Sequence, residues 1–341
     1  MFDLKTLVRP NILALQPYSS ARDEFKGSEG VFLDANENPF GTLNRYPDSF
    51  HKELKTVLSS NKNIPEENIF TGNGSDEIID LLYRVFCNPG KDKTLTFTPT
   101  FGMYQVAADV NDVTLIKLPL QDDFQINTEA LKPYLSEENL KLIFICSPNN
   151  PTGNCFCEKD VEYILKTFKG IVVIDEAYID FSTKDSFAKY LKAYPNLIVM
   201  QTMSKAWSLA AARIGIAFAS KEIIQLLNNV KMPYNISVLN QQAAVVALKD
   251  VTTFEANKKL ILEEKTKLKQ ALETLSIIKK IYPSDANFWL VEVEDANSVY
   301  EKLVAQKVIT RNRNSLVKNS IRITVGTSAE NEKLIKALKN I

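Results

Sequence analysis

The chain has neither a net charge nor a long apolar run. Its 41 Lys and Arg residues balance 41 Asp and Glu residues, so no overall field attracts nucleic acid or an anionic membrane. No stretch reaches the ~18 uncharged apolar residues of a membrane span, and residues 1–5 lack the basic and apolar segments of a signal peptide. We therefore predict a cytoplasmic protein that contacts neither nucleic acid nor membrane.

Cysteine and histidine are scarce, with four cysteines and one histidine in 341 residues. Cys155 and Cys157 lie close together, but no second Cys or His pair at zinc-finger spacing accompanies them. We therefore predict no metal site, and the thiols are too few for a disulfide scaffold. The histidine, His51, matches no catalytic role and is predicted to lie on a helix surface.

Short β-branched runs alternate with helical patterns through the middle of the chain. In residues 158–168, for example, apolar side chains recur at helical spacing. Several of the strand-like runs are apolar throughout, which is typical of strands buried on both faces of a mostly parallel sheet. The predicted strands are residues 94–98, 113–118, 141–146, 171–175, 197–202 and 214–219. The alternation predicts an α/β fold with a mostly parallel central sheet flanked by helices.

The pattern changes after Pro233. Residues 239–275 are predicted to form one long or broken helix. Strand-like runs at 287–293 and 321–325 and helices near 298–306 and 329–338 follow. We predict an N-terminal arm (residues 1–30) that packs with the small domain, a large α/β domain (31–235), and a smaller α+β C-terminal domain (236–341).

Ligands of open α/β sheets bind at the carboxyl ends of the strands, and four predicted strand ends carry unusual residues. The first is residues 71–77, where glycines allow a tight turn and Ser75 or Asp76 can cap the next helix. Exposed N–H groups at such a helix start form a phosphate site. Taken alone, an ordinary capped turn explains this segment better.

The second and third strand ends carry an amide and a carboxylate. In Ser-Pro-Asn-Asn-Pro-Thr-Gly, residues 147–153, the prolines hold Asn150 rigidly with its amide free to donate. A plain loop is the alternative. Next, four apolar residues run directly into Asp175, and a carboxylate there is costly unless it meets a cation or a proton donor. Capping of the following helix is the alternative at that position.

The fourth strand end carries Lys205 among apolar and small residues. Burial lowers the pKa of an ammonium group and frees the amine to attack a carbonyl. Thr202, Ser204 and Arg213 flank the lysine with hydroxyls and a guanidinium suited to phosphate. A surface lysine is the alternative, since that is the commoner fate of a single Lys.

Together the four segments fit one ligand, pyridoxal 5′-phosphate (PLP). PLP needs an amine for its aldehyde, an anion site for its phosphate and a carboxylate beside its pyridine nitrogen. Lys205, the helix start at Ser75 with Ser204 and Arg213, and Asp175 supply these in turn. Chance explains the joint presence of all four far less well than it explains any one of them.

The sequence resembles the fold-type I PLP-dependent aminotransferases over nearly its whole length. The motifs that carry the resemblance are residues 147–153, Asp-Glu-Ala-Tyr at 175–178, Ser204-Lys205 and Arg213. Residues 15–18, 33–39, 44–47, 95–104 and 321–327 are similar to the histidinol-phosphate aminotransferase family. This resemblance implies conversion of imidazole acetol phosphate and glutamate to histidinol phosphate and 2-oxoglutarate, a step of histidine biosynthesis.

The resemblance also implies roles for single residues. Lys205 would form the Schiff base with PLP and then move a proton between substrate and cofactor. Asp175 would keep the ring nitrogen protonated, and Phe101 would stack on the ring face. Tyr178 and Asn150 would hydrogen-bond the 3-oxygen of the ring. The phosphate would be surrounded by Ser75, Asp76, Thr202, Ser204 and Arg213, and by Tyr46 from the partner subunit of a homodimer.

Substrate recognition is implied for three further residues. Arg322 resembles the arginine that binds the anionic end of the substrate, with Arg311 and Tyr18 as added contacts. A guanidinium suits both a phosphate and the carboxylate of glutamate, although a surface role is an alternative for each residue. The chain departs from the family at Phe101, where Tyr is usual, and at Ala211-Ala212, where a glycine is common.

Three rival functions stay open at this point. An aromatic amino-acid aminotransferase and a PLP-dependent decarboxylase of a phosphorylated amino acid share the lysine, aspartate and phosphate motifs. A non-catalytic relative of the same fold is the third, but it would tolerate loss of the reactive lysine, which this chain retains at Lys205.

Overall fold

The structure is a computed structural model that describes residues 2–25 and 30–341. The described strands form two sheets. The large sheet contains β1 (Ile69–Asn73), β2 (Lys93–Thr98), β3 (Thr114–Pro119), β4 (Leu140–Cys146), β5 (Ile171–Asp175), β6 (Leu197–Thr202) and β7 (Ile214–Phe218). The small sheet contains β8 (Ile278–Ile281), β9 (Phe288–Val293), β10 (Arg311–Asn312) and β11 (Ser320–Thr324).

Twelve α-helices lie within the described ranges. They are α1 (Pro10–Leu13), α2 (Ala21–Glu24), α3 (Lys52–Lys62), α4 (Gly74–Phe86), α5 (Met103–Val110), α6 (Thr128–Leu131), α7 (Glu158–Thr167), α8 (Lys221–Val230), α9 (Val238–Lys249), α10 (Val251–Glu273), α11 (Ala296–Ala305) and α12 (Ser328–Lys339). Within those same ranges, no helix is both long and apolar enough to cross a lipid bilayer.

The large sheet has the strand order β1-β7-β6-β5-β4-β2-β3. Strand β7 runs antiparallel to both of its neighbours, and the other pairs are parallel. The predicted mostly parallel sheet is therefore confirmed, and all six predicted strands are present within a residue of their expected bounds. Strand β1 agrees with the strand end expected at residues 71–77, although its bounds were not predicted and it includes the Thr-Gly-Asn of that segment.

The apolar strands are buried on both faces, as predicted. In β5, Val172 and Ile174 pack into one hydrophobic cluster, and Ile171 and Val173 pack into the cluster on the opposite face. The two clusters pack tightly on opposite faces of the sheet. Such close packing holds the carboxyl ends of β4, β5 and β6 in fixed positions.

The small sheet is antiparallel, with the order β10-β11-β9-β8. One face, including Trp289 and Ile321, packs with residues of α10, α11 and α12. The opposite face presents Phe288, which packs with Tyr178 and Phe181 from the segment after β5. This contact brings the β9–β11 face against the carboxyl edge of the large sheet.

Two parts of the predicted organisation need correction. Residues 2–12 pack against helices of the large sheet, whereas the arm was predicted to pack with the small domain. Val8 is buried in the cluster around α4, and the Arg9 N–H donates to the Val85 carbonyl at 3.0 Å. Helix α9 was predicted to belong to the small domain, but its Leu248 is buried in the core of the large sheet. The boundaries at residues 30 and 235 stay predictions.

His51 is not on a helix surface, as the sequence suggested, but is 1% exposed. It adopts a left-handed backbone conformation just before α3, and its Nδ1 hydrogen-bonds Thr71 Oγ1 at 2.6 Å. Burial, reinforced by the nearby charges of Lys231 and Lys55, lowers the pKa of His51 to about 3. The imidazole is therefore a neutral core residue that ties α3 to β1.

Acid is expected to destabilise the fold through His51. In an unfolded chain its pKa is about 6.5, so below that pH the unfolded chain binds a proton that the folded chain excludes. Stability falls as the pH drops below 6.5, by about 2 kcal/mol at about pH 5. Urea unfolding at about pH 7.5 and about pH 5 should show that His51→Asn, which tolerates the positive φ, loses about 2 kcal/mol less than the wild type. Equal losses would contradict this, since all other titrating groups are common to both proteins.

Candidate active site

Three neighbouring parallel strands end at the same edge of the large sheet. Cys146 at the end of β4 pairs with Asp175 at the end of β5, and Asp175 pairs with Met200 in β6. The loop with Asn150, the carboxylate of Asp175 and the segment with Lys205 therefore lie side by side. The predicted convergence of these strand ends is what the fold produces.

Asp175 is a buried carboxylate, 2% exposed. The Tyr104 hydroxyl donates to its Oδ2 at 2.8 Å, and the Ala177 N–H donates to its Oδ1 at 3.1 Å. Burial raises the pKa of Asp175 to about 6, although the Tyr104 hydrogen bond acts in the opposite direction. A carboxylate in this position gains most from a cation that approaches it from the cleft. Tyr104 was not identified from the sequence.

Lys205 follows β6 and is open to the cleft. Its Nζ lies 5.8 Å from the centroid of the Tyr178 ring. Partial burial lowers the pKa of Lys205, and the positive charges of Arg322 and Arg213 add to that effect against the pull of Asp175. These neighbours favour a reactive amine over an ordinary surface lysine.

The start of α4 and the segment after β6 form a candidate anion site. The Arg213 guanidinium bonds Ser204 Oγ at 3.4 Å and Asp76 Oδ2 at 3.2 Å, and the Thr202 hydroxyl donates to Ser204 Oγ at 3.0 Å. Ser75 and Asp76 lie in the first turn of α4, where backbone N–H groups have no partner within the helix. Hydroxyls, a guanidinium and free N–H groups are the donors that a phosphate requires.

The capping role suggested for Ser75 or Asp76 is wrong. The residue before the helix is Asn73, and the Glu77 carboxylate accepts its backbone N–H. Asp76 instead contacts Arg213, which places its side chain at the anion site.

Two glycines bring the backbone of this site together. An added Cβ at Gly74, where φ is +78°, would lie 2.4 Å from Nη2 of Arg213. At Gly215 it would lie 2.3 Å from the carbonyl carbon of Gly74 and 2.5 Å from the Ser75 nitrogen. Strand β7 and the first turn of α4 are therefore in direct backbone contact, which only glycine permits.

Asn149 holds the 147–153 loop in place. It is fully buried, donates to the Pro99 carbonyl at 2.9 Å and to Thr152 Oγ1 at 2.7 Å, and accepts from the Thr100 hydroxyl at 2.9 Å. The sequence singled out Asn150 and missed this supporting role of its neighbour. Asn150 accepts a hydrogen bond from Arg322 through its Oδ1, so its amide nitrogen is the end available to a ligand.

Arg322 extends from the small sheet to the large one. Its guanidinium carbon lies 5.2 Å from the Phe288 ring centroid, and burial lowers its pKa. Arg311 is its direct partner across β10 and β11. Phe101, for its part, contacts Tyr104 edge-on, with ring centroids 5.7 Å apart.

Tyr18 and Tyr46 are not drawn into this cluster. Tyr18 is 68% exposed, and Tyr46 is 51% exposed and stacks on Tyr234 at 4.4 Å. The role predicted for Tyr46 requires the partner subunit in any case, and the substrate contact of Tyr18 stays a prediction. Across residues 2–25 and 30–341, no group of three or more His, Cys, Asp or Glu side chains is placed to hold a metal.

Comparison with known proteins identifies the family. The model of the family "Aminotransferase class I and II" matches residues 23–338. The histidinol-phosphate aminotransferase of Cytophaga hutchinsonii is 50% identical over 345 aligned residues, which cover 99% of each chain. The chain belongs to the histidinol-phosphate aminotransferase family. The predicted family and the predicted enzyme class are thus confirmed.

Solved structures from this family share the fold. The histidinol-phosphate aminotransferase of Clostridium acetobutylicum superposes with a TM-score of 0.80 at 25% identity, covering 87% of this chain and 90% of that one. The Sinorhizobium meliloti enzyme, solved in complex with pyridoxal-5′-phosphate, also superposes with a TM-score of 0.80. Its identity is 23%, and the match covers 87% of this chain and 82% of that one. The predicted fold-type I architecture with a smaller C-terminal domain is confirmed.

Proposed function

We propose that this aminotransferase uses PLP to exchange an amino group between glutamate and imidazole acetol phosphate, giving histidinol phosphate and 2-oxoglutarate in histidine biosynthesis. The observation that carries the proposal is the convergence of Lys205, Asp175 and Arg322 at one sheet edge beside an anion site. The 50% identity to an enzyme named for this substrate supports the choice of substrate.

The donors at this edge fit PLP group by group. Asp175 would meet the ring nitrogen, and Phe101 would pack on the ring face. Asn150, through its free amide nitrogen, and Tyr178 would meet the 3-oxygen. When bound, PLP supplies an electron sink that stabilises negative charge at the substrate Cα. The phosphate would be held by Ser75, Asp76, Thr202, Ser204 and Arg213.

Lys205 would act twice. Its amine would first hold the cofactor through the aldehyde carbon, with loss of water; once the substrate's amine has replaced it there, the freed Nζ would move a proton between the substrate Cα and C4′ of the cofactor. The lowered pKa of Lys205 supports both steps, because each needs the neutral amine. Asp175, once it faces a cation, stays ionised and keeps the ring nitrogen protonated, since opposite charges favour each other's charged forms.

The close contact of Gly215 with Gly74 gives a test of the phosphate site. Gly215→Ala is expected to push α4 from β7, to destabilise the fold by about 1–3 kcal/mol, and to weaken PLP binding at least tenfold. Equilibrium titration of the apoprotein measures the affinity, and thermal melting measures the stability. Gly102→Ala is the matched control, because its added Cβ meets nothing within 4 Å. Unchanged PLP affinity in Gly215→Ala would place the phosphate elsewhere.

We also propose a homodimer in which Tyr46 completes the phosphate site of the partner subunit. Large apolar side chains are exposed on the segment that leads to Tyr46: Val31 is 89% exposed, Leu33 88% and Phe40 83%. Such a concentration of exposed apolar surface on one segment is typical of a protein interface. Arg311, Arg322 and Tyr18 would bind the anionic end of the substrate. A cytoplasmic location stays a prediction.

Substrate preference decides between this proposal and its rivals. The PLP form is mixed separately with histidinol phosphate, phenylalanine and O-phosphothreonine, and the cofactor's absorbance is followed through a single half-reaction. Histidinol phosphate should convert the cofactor to its amine form faster than phenylalanine by orders of magnitude. Faster conversion by phenylalanine would favour an aromatic aminotransferase. Release of carbon dioxide from O-phosphothreonine would favour a decarboxylase.

A further inference from the structure

Three guanidinium groups share one face of the small sheet. Arg311 pairs directly with Arg322 across the antiparallel β10–β11 pair. Arg313 lies two residues beyond Arg311, and its N–H donates to the carbonyl of Ser320, which lies two residues before Arg322. Because side chains alternate between faces with a period of two, all three arginines point to the same side of the sheet. That side carries Phe288 and faces the active site.

The backbone holds Arg313 in a fixed place. Its carbonyl accepts the N–H groups of Leu316 and Val317 at 2.8 and 2.9 Å, which closes the turn that leads to β11. Asn314 Oδ1 accepts the N–H of Asn319 at 2.7 Å within the same turn. The side chain therefore leaves from a rigid turn and not from a flexible loop.

The three arginines have no acidic counterpart. Among the described residues, no salt bridge includes Arg311, Arg313 or Arg322, and the Nε atoms of Arg313 and Arg322 are buried without a hydrogen-bond partner. Burial and the charges of Arg322 and Arg311 lower the pKa of Arg313 to about 10, with Tyr178 acting in the opposite direction. Three like charges held together this closely, with unpaired donors, call for an anion of more than one charge.

We propose that Arg313 is a third guanidinium of the substrate anion site and that it selects a phosphate dianion over a carboxylate. This inference rests on the proposed function, in which Arg311 and Arg322 already bind that end of the substrate. A carboxylate has two oxygens and one charge, and the Arg311–Arg322 pair satisfies it. A phosphate monoester has three terminal oxygens and nearly two charges, so it has an acceptor and a charge left for Arg313.

The test separates the two half-reactions of the holoenzyme. In Arg313→Gln, kcat/KM for histidinol phosphate should fall at least tenfold, equivalent to ~1.4 kcal/mol, while kcat/KM for glutamate changes less than threefold. Inorganic phosphate should also inhibit Arg313→Gln more weakly than the wild type. In the holoenzyme the cofactor's own phosphate fills the other anion site, so inorganic phosphate reports on the substrate site alone. Arg313→Lys should recover part of the loss, because it restores the charge without the paired donors.

Controls distinguish the possible failures. Lys318→Gln removes an exposed cation from the same turn and should leave both half-reactions unchanged. Equal losses for both substrates in Arg313→Gln, or a loss for neither, would overturn the role of Arg313. A wild-type enzyme that does not convert histidinol phosphate would instead overturn the proposed function. If Arg313→Gln melts at a lower temperature than the wild type, Arg313→Lys is compared with the wild type instead. A ratio of kcat/KM for histidinol phosphate to kcat/KM for glutamate identical to that of the wild type would then refute the proposal.

Discussion

Lys205→Ala is expected to lose transamination activity by at least on the order of 10⁴-fold. The variant lacks both the amine that holds the cofactor and the group that moves the proton at Cα. Positioned proton transfer alone is worth about 10²–10⁴ in rate, and loss of covalent attachment adds to it. The other cofactor contacts at this edge remain, so PLP should still bind, although more weakly.

Borohydride reduction followed by intact-mass measurement is the direct check. The wild-type chain should gain the mass of one reduced cofactor, and the Lys205→Ala chain should gain none. Methylamine added to the variant should restore part of the activity, because a small amine can carry the missing proton. Lys184→Ala, which removes another exposed amine, should behave like the wild type. Covalent capture of the cofactor by the Lys205→Ala chain would refute the assignment.

Asp175→Asn is expected to lower kcat by about 10²–10³-fold with little change in the fold. The amide has the shape of the carboxylate, its oxygen can still accept the Ala177 N–H, and its NH2 group can donate to the Tyr104 hydroxyl, which donates to Asp175 in the wild type. It carries no charge, so it cannot keep a ring nitrogen protonated, and charge stabilisation of this kind is worth roughly 10²–10³ in rate.

The pH dependence of cofactor binding provides a second measurement. The pKa of Asp175 is about 6 in the free chain, so its carboxylate is ionised above that pH and protonated below it. The wild-type apoprotein should therefore lose PLP affinity more steeply than the variant as the pH falls below about 6. Glu176→Gln is a useful comparison, since Glu176 is also buried but bonds Ser186, Gln201 and the Phe187 N–H. It should affect stability far more than kcat. Identical pH profiles in wild type and Asp175→Asn would argue against contact with the ring nitrogen.

Much of the large sheet could be predicted because its strands are buried on both faces. Continuous apolar runs such as Ile171–Asp175 are visible without any knowledge of neighbours. The bounds of β1 are less visible in the sequence, because only Ile69 and Phe70 of its five residues are large apolar side chains, and Thr-Gly-Asn follows them. His51 was misread because it directly precedes the polar residues Lys52 and Glu53, whereas the groups that face it, Thr71 of β1 and Lys231 after α8, are distant in sequence.

The candidate site likewise contains residues that the sequence could place and contacts that it could not. Asp175 ends β5, and Lys205 and Asn150 lie a few residues after β6 and β4, so their convergence follows from the parallel order of these strands. Tyr104 contacts Asp175 across 71 residues, and Arg322 contacts Asn150 across 172. Arg313 is one of three arginines within a dozen residues, and only the sheet register shows that they share a face. Sequence spacing carries no record of such contacts.

The pairing of β1 with β7 restricts how this chain can change in length. Gly72 pairs with Gly215, and Gly74 follows one residue beyond the strand. Inserting or deleting one residue in either strand would move Ile214 or Ile216 opposite the start of α4, where no side chain fits, and would turn every following side chain to the other face. Insertions and deletions in this enzyme should therefore be tolerated in the loops between helices and strands, whereas this pair of strands must keep its residue count.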